Sequence, residues 1–269
     1  MLEKLYRGDT TQVLKDIVDC YKQQWFAVVN FLYFANAIQF HLFENPTLPK
    51  DKEYEAALRA GDFLLPDGIA LQVWNYTMNK PKTWVSNLNG TDLTPRILEY
   101  ITKKYTVELY IVSLYDDRIG KGKERLEIGI EKCRSHFGIE KIYGFQTHFL
   151  DRGKEFPWEE WTQDNPPADG VCRIMMHCTG TPFQELWTEK HREWYEKQHM
   201  LVLNVGWFID FFSWFEQRAP ERVVRARVLE TFWRITTNPK KNLKKFLAMF
   251  GVVRVLWYKI KKSLYTKNN

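Results

Sequence analysis

Two hydrophobic patterns alternate along residues 9–213. Short continuous apolar runs are typical of strands buried on both faces, and they alternate with segments in which apolar residues recur every three or four positions, as in amphipathic helices. This alternation predicts an α/β fold with a Rossmann-like, mostly parallel sheet flanked by helices on both faces. The predicted strands are WFAVVNF (25–31), DFLLPDG (62–68), TVELYIVSL (106–114), EKIYGFQ (140–146), GVCRIMMHC (170–178) and MLVLNVG (200–206).

The segments between these strands carry helical periodicity and end signals. We expect Asp92 or Thr91 to cap the helix that precedes the third strand, and Pro182 to begin the helix that follows the fifth. The predicted helices cover residues 9–24, 32–43, 52–61, 69–78, 88–104, 120–137 and 182–198.

From Arg218 onward the pattern becomes wholly helical. A helix over 221–235 is followed by a second one that begins at Pro239, with Asn238 as its N-cap. We therefore predict two units, an α/β core at 1–217 and a basic amphipathic helical appendage at 218–269.

The appendage holds the basic residues of the chain. Residues 218–269 contain 14 Lys or Arg and two Glu, a net charge of +12, whereas the whole chain carries +6. Such a tail predicts an anionic partner. Apolar side chains at helical spacing oppose its lysines, so it fits a helix lying in an anionic membrane surface, but a surface helix docked on the core fits as well.

Other classes of protein receive less support from the sequence. The sequence contains no run of 18 apolar residues, so we predict no membrane span. Its first residues lack an apolar segment, so we predict no signal peptide. Four scattered cysteines predict reduced thiols in a cytosolic protein. We recognise no metal-binding motif, no GxSxG elbow and no GxGxxG loop, and GKGKE (120–124) lacks Walker spacing.

Polar residues follow several of the predicted strands. Asn30, Asp67, Gln184 and Asp210 each come at or just after an apolar run. Carboxyl ends of parallel strands meet at one edge, so these side chains are expected to face one cleft. Asp67 precedes Gly68, and a turn or helix cap is the competing interpretation for that residue.

Three stretches, in this order and spacing, resemble the WecG/TagA/CpsF glycosyltransferases, glycosyltransferase family 26. They are DFLLPDGIALQVW with LNGTDLTPRILE (62–74 and 88–99), TGTPFQELW (179–187), and NVGWFID to TTNPKK (204–241). The resemblance implies transfer of a sugar, often N-acetylmannosamine, from a UDP-sugar to a polyprenyl-diphosphate-linked sugar in cell-surface polysaccharide synthesis. It also implies an inverting reaction without a metal or other cofactor, at the cytoplasmic face of the membrane.

The resemblance also assigns roles to residues. Asp67 matches the catalytic base, which would accept a proton from the acceptor hydroxyl. Gln184 matches an active-site glutamine, Asp210 an aspartate near the ribose, and Arg234 a basic residue of the appendage. The other substrate-binding positions implied by the motifs are Asn30, Gly68, Gly90, Asp92, Arg218, Lys241 and Lys244.

Some positions depart from the family pattern. Leu32 replaces the second polar group after the first strand, and Asn87 replaces an arginine that would be a phosphate partner. Lysines stand where the appendage of other members has arginines, and lysine is less suited to bidentate phosphate contacts.

The alternative function is a nucleotide-binding or basic-tail scaffold protein without transferase activity. We expect no nucleic-acid partner, because the tail combines its charge with membrane-like apolar spacing. Exposed aromatic surface is compatible with a homo-oligomer.

Overall fold

A six-stranded parallel sheet forms the centre of the molecule. The computed structural model describes residues 2–34, 36, 49–78, 84–115, 122–148, 156–163, 165–206 and 208–213. The strands are β1 (Ala27–Tyr33), β2 (Phe63–Asp67), β3 (Thr106–Tyr115), β4 (Lys141–His148), β5 (Val171–Cys178) and β6 (Met200–Asn204). Their order is β2-β1-β6-β5-β3-β4, and every neighbouring pair is parallel. The α/β, Rossmann-like prediction is confirmed.

Helices connect these strands. Within the described residues they are α1 (Thr10–Gln24), α2 (Pro49–Ala60), α3 (Ile69–Met78), α4 (Gly90–Thr102), α5 (Gly122–Phe137), α6 (Trp158–Trp161), α7 (Phe183–Lys190), α8 (Arg192–Lys197) and α9 (Phe208–Phe212), with a short 3-10 turn at Leu2–Lys4. None of them is long and apolar enough to span a membrane.

Two predicted helices differ from the structure. The helix predicted at 32–43 begins too early, because Leu32 and Tyr33 continue β1, and most of the rest lies outside the described residues. The helix predicted at 182–198 is interrupted at His191, so that α7 and α8 are separate elements. The predicted appendage and its boundary at residue 217 also lie outside the described residues.

Both faces of the sheet are covered, which explains the continuous apolar runs. Leu201 and Leu203 of β6 belong to a core under α1, α4, α5 and α9. Met200 and Val202, which alternate with them, belong to the opposite core under α6 and α8. On that second face α2 and α3 cover β1 and β2. A strand buried on both sides needs an apolar residue at nearly every position.

The chain leaves neighbouring strands toward opposite faces at the carboxyl edge. After β6 it enters α9 on the first face, since Phe208 and Ile209 join that core. After β1 and β5 it enters α2 and α7 on the second face, where Tyr54 and Leu186 pack. In an open α/β sheet such a reversal creates a crevice that binds ligands. The candidate site is therefore expected at the carboxyl end of β6.

The start of α4 is capped by a residue that the sequence did not predict. Asn89 accepts a hydrogen bond from the backbone N–H of Asp92 at 2.8 Å, and its amide donates to the Asp92 carboxylate at 2.7 Å. The expectation that Asp92 or Thr91 caps the helix is wrong, because the helix begins at Gly90. The cap satisfies one N-terminal N–H group that would otherwise lack a partner.

We expect Asn89→Ala to lower the free energy of unfolding by about 1 kcal/mol, because the first turn of α4 loses its cap. Thr91→Ala is the matched control and changes the free energy by less than about 0.5 kcal/mol. Urea denaturation followed by circular dichroism measures both. Equal losses in the two variants would contradict the assignment of the cap.

Candidate functional site

Asp67 lies at the last position of β2, beside Tyr33 of β1 in the sheet register. One oxygen of its carboxylate, Oδ2, accepts a hydrogen bond from the backbone N–H of Gly90 at 3.2 Å. Gly90 is the first residue of α4, so this carboxylate faces the positive end of a helix. The competing interpretation of Asp67 as a capping residue is therefore partly correct. The same contact also gives the carboxylate a defined position at the sheet edge.

The corner after Asp67 depends on Gly68 and Asn87. Gly68 has a φ of 95°, a left-handed conformation that glycine adopts readily. Its N–H donates to the side-chain oxygen of Asn87 at 2.8 Å, and Leu88 N–H donates to the carbonyl of Pro66 at 2.9 Å. Asn87 stands where the family pattern has an arginine. In the structure its side-chain oxygen orients the turn that carries Asp67.

Gln184 lies at the carboxyl end of β6, in the first turn of α7, and is fully buried. Its amide nitrogen donates to the carbonyl of Asn204 at 3.0 Å and to Oε1 of Glu185 at 2.9 Å. Its oxygen accepts from the N–H of Gly206 at 2.9 Å. Both amide hydrogens are thus used inside the protein, and a direct contact with the sugar stays a prediction.

Asn30 is also buried below the edge. Its Oδ1 accepts a hydrogen bond from the amide of Asn204 at 2.7 Å, and Asn204 in turn accepts from the Thr188 hydroxyl at 3.0 Å. These contacts join β1, β6 and α7. A Cβ atom at Gly61 would lie 2.4 Å from Asn30 Nδ2, so the close approach of the chain there requires glycine. Substrate contact by Asn30 likewise stays a prediction.

Glu185 is the group that the sequence reasoning underrated. Its carboxyl is 1% exposed, and Oε1 accepts from Gln184 and from the Thr181 hydroxyl, the latter at 3.3 Å. Its other oxygen, Oε2, is buried and has no hydrogen-bond partner in the described part of the chain. Burial raises the pKa of this carboxyl to about 7. The structure places Glu185 in the same buried network as Gln184.

Two tyrosines near Glu185 were missed. Tyr54 of α2 accepts a hydrogen bond from Asn36 at 2.8 Å. Burial and then the charge of Glu185 hold the pKa of its phenol well above the usual value. The hydroxyl of Tyr33 lies 3.3 Å from where a Cβ on Gly206 would be. The helical periodicity assigned to 32–43 hid Tyr33, since it gave this strand-end residue to a helix.

Asp210 forms a buried ion pair in α9. Its Oδ1 lies 2.8 Å from Nε of Arg125, and the two side chains are 5% and 9% exposed. Arg125 also donates to the carbonyl of Leu114 at the end of β3. The pair therefore joins α9 to α5 and to the sheet edge. A contact between Asp210 and a ribose stays a prediction, and the contact seen here is internal.

We expect Asp210→Asn to destabilise the protein by roughly 3–5 kcal/mol, because it leaves the Arg125 guanidinium buried without its counter-charge. The double variant Arg125→Met/Asp210→Leu is expected to recover most of that loss, since it removes both charges. Urea denaturation of the full chain measures the three proteins. An Asp210→Asn variant with unchanged stability and abolished UDP affinity would instead support the ribose role.

The other predicted site residues divide into two groups. Gly90 and Asp92 lie in the first turn of α4, next to Asp67. Arg218, Arg234, Lys241 and Lys244 lie outside the described residues. Within the part of the chain that the structure describes, no three His, Cys, Asp or Glu side chains form a group that could hold a metal ion.

Comparison with known proteins agrees with the resemblance in the motifs. A model of the glycosyl transferase WecG/TagA/CpsF family matches residues 6–267, nearly the whole chain. The chain belongs to the WecG/TagA/CpsF family. It is accordingly a glycosyltransferase.

Two curated relatives of this WecG/TagA/CpsF member come from Bacillus. One, from Bacillus spizizenii, is 27% identical over 213 residues, which cover 78% of this chain and 72% of the relative. The other, from Bacillus subtilis, is 25% identical over 220 residues, which cover 81% of this chain and 78% of the relative. Both are named N-acetylglucosaminyldiphosphoundecaprenol N-acetyl-beta-D-mannosaminyltransferase.

Proposed function

We propose that this glycosyltransferase moves N-acetylmannosamine, or a related hexose, from a UDP-sugar to a sugar carried on polyprenyl diphosphate. The names of the two Bacillus relatives support the acceptor and the sugar. The reaction proposed is inverting and independent of metal, and its product is an intermediate of a cell-surface polysaccharide.

The observation that carries the proposal is the placement of Asp67. Its carboxylate lies at the carboxyl edge of the sheet and at the N-terminus of α4, one strand away from the β1–β6 boundary at which the chain direction reverses. Nucleotide ligands of open α/β sheets bind at that position. A carboxylate held there can accept the proton of an acceptor hydroxyl while that oxygen attacks the anomeric carbon of the donor.

Charge on the departing UDP needs stabilisation in this mechanism. The acceptor oxygen forms its bond to the anomeric carbon as the bond from that carbon to the diphosphate breaks, and UDP leaves with the electron pair. The first turn of α4 presents its positive end at this edge. We propose that Arg218, Arg234, Lys241 and Lys244 of the tail add cationic contacts to the diphosphate.

We expect Asp67→Asn to lower kcat by about two to four orders of magnitude, because the amide cannot accept the proton. Affinity for the donor should change less than about threefold. The assay is transfer of radiolabelled sugar from a panel of UDP-sugars to a polyprenyl-diphosphate-linked acceptor, with and without chelator. NMR of the new glycosidic bond reports inversion.

Asp19→Asn, an exposed aspartate on α1, is the matched control and should retain full activity. Full turnover by Asp67→Asn would show that Asp67 is not the base. Absence of transfer from every donor, together with absence of UDP affinity, would favour the scaffold alternative.

We propose further that the basic tail attaches the enzyme to an anionic membrane surface at the cytoplasmic face, where a lipid-linked acceptor would be found. Binding to vesicles that contain phosphatidylglycerol should exceed binding to phosphatidylcholine vesicles and should weaken at high salt. Lys241→Glu/Lys244→Glu should reduce partitioning by about tenfold or more, at roughly 1 kcal/mol per basic side chain.

The control for that experiment is Lys15→Glu/Lys197→Glu, which makes the same change in charge at exposed positions of the core. Cosedimentation with vesicles measures all three proteins. Equal loss of binding in both double variants would indicate a general charge effect, and equal binding to neutral vesicles would contradict the electrostatic model.

A further inference from the structure

One buried oxygen at the carboxyl edge has no role in the proton transfer assigned to Asp67. Glu185 directs Oε1 to two donors, the Gln184 amide at 2.9 Å and the Thr181 hydroxyl at 3.3 Å. Oε2 has no hydrogen-bond partner among the described residues, although it is fully buried. A buried carboxylate oxygen without a donor is costly, whereas a protonated carboxyl carries no net charge to desolvate.

The surroundings of Glu185 offset a negative charge only in part. The hydrogen bonds from Gln184 and Thr181 favour the carboxylate, but burial outweighs them. Tyr54 of α2 lies near Glu185, and burial, followed by the charge of Glu185, holds the pKa of its phenol well above the usual value. Asn204 of β6 provides only a neutral backbone carbonyl, which accepts a hydrogen bond from the Gln184 amide. On α7 itself, the carboxylate of Glu189 forms an ion pair with Arg192 of α8 at 3.0 Å, so the partner of this arginine is Glu189 and not Glu185. In the described part of the chain no Lys, Arg or His forms an ion pair with Glu185. Tyr33 and Asp67 are also ionisable and lie at this edge, and the Asp210–Arg125 ion pair lies at the end of β3.

Glu185 is connected to the walls of the crevice by short links. Glu185 accepts a hydrogen bond from the Gln184 amide, whose oxygen accepts one from the N–H of Gly206. Gly206 is the residue at which the chain turns from β6 toward α9. Gly206 has a φ of 61°, a left-handed conformation that glycine adopts readily, and the contact with Gln184 fixes the position of this turn. Through Thr181 the carboxyl is tied to the loop between β5 and α7.

We propose that Glu185 is a positioning residue that supports binding of the sugar-nucleotide donor only as the neutral carboxylic acid, and that its ionisation weakens that binding. This rests on the proposed function, because the donor is taken to be a UDP-sugar with an anionic diphosphate. Ionisation acts in two ways. It places a negative charge at the edge where the diphosphate binds, and it favours movement of Oε2 toward water, which would break the contacts to Gln184 and Thr181.

The pH range in which ionisation of Glu185 changes donor binding is set by the burial of its carboxyl. Since burial raises the pKa of Glu185 to about 7, the acid form predominates at pH 6 and the carboxylate at pH 8.5. At an effective dielectric constant of about 20 and a separation on the order of 10 Å, one added charge changes the affinity for an anion about tenfold.

The test is calorimetric titration of UDP-N-acetylmannosamine into the full chain at pH 6 and pH 8.5. This donor is chosen because its diphosphate diester keeps the same charge over the range, unlike UDP. For the wild type we expect Kd to rise about tenfold at the higher pH. For Glu185→Gln, whose amide resembles the protonated acid, we expect a Kd that is independent of pH and close to the wild-type value at pH 6.

Glu189→Gln, one turn further along α7, is the matched control and should show the wild-type dependence on pH. A dependence that persists unchanged in Glu185→Gln would overturn the proposal, as would a wild-type Kd that does not vary with pH. Failure of the wild type to bind the donor at either pH would instead contradict the proposed function.

Thermal unfolding gives a second measurement that needs no donor. A raised folded-state pKa means that the unfolded chain releases this proton first, so the stabilising contribution is complete below about pH 4.5 and is lost as pH rises toward 7. The wild-type Tm should therefore fall more steeply than that of Glu185→Gln between pH 5 and 7. Parallel profiles would show that Glu185 is not held as the acid.

Discussion

The hydrogen bonds of the Gln184 amide are the interaction on which the carboxyl edge depends. One side chain pairs the carbonyl of Asn204, the N–H of Gly206 and the carboxyl of Glu185. Because these groups are buried, removing the amide would deprive the two backbone groups of this partner and would leave Glu185 with the Thr181 hydroxyl. The crevice exists where the chain after β6 turns away from its neighbours, and that turn is made at Gly206. Within the described residues, the position of this turn is therefore fixed by a buried amide.

The sequence predicted the sheet well because both of its faces are buried. Strands such as β5 and β6 have almost no polar position facing water, so their apolar runs are unambiguous. The errors occur where a tertiary contact overrides a local signal. Tyr33 continues a strand that pairs with β2 although its periodicity resembles a helix. Asn89 caps α4 because the helix starts three residues earlier than an N-cap at Asp92 would give.

The sequence predicted where several polar residues lie in the sheet, but not which partners their side chains have. Motif spacing placed Asp67, Asn30, Gln184 and Asp210 at one edge, because the carboxyl ends of parallel strands must meet there. The sequence contained no information on which of these polar groups would be paired internally. Gln184 bonds to backbone groups and Asp210 to Arg125, whose position in a helical pattern gave no indication of a partner 85 residues away. The burial of Glu185, and the oxygen that it leaves without a donor among the described residues, are likewise visible only in the structure.

The departure at Asn87 can be understood in the same physical terms. An arginine at that position would offer charge to a diphosphate, whereas the Asn87 oxygen accepts the N–H of Gly68 and orients the turn that carries Asp67. An arginine has no acceptor atom and could not make this contact. Asn87 thus orients the turn that carries the proposed base, but it provides no positive charge near the leaving group. In such a site the positive end of α4, and the cations of the tail if they reach it, would have to supply the missing stabilisation. A neutral Glu185 is consistent with this shortage, since an added negative charge would be least tolerated where cations are few.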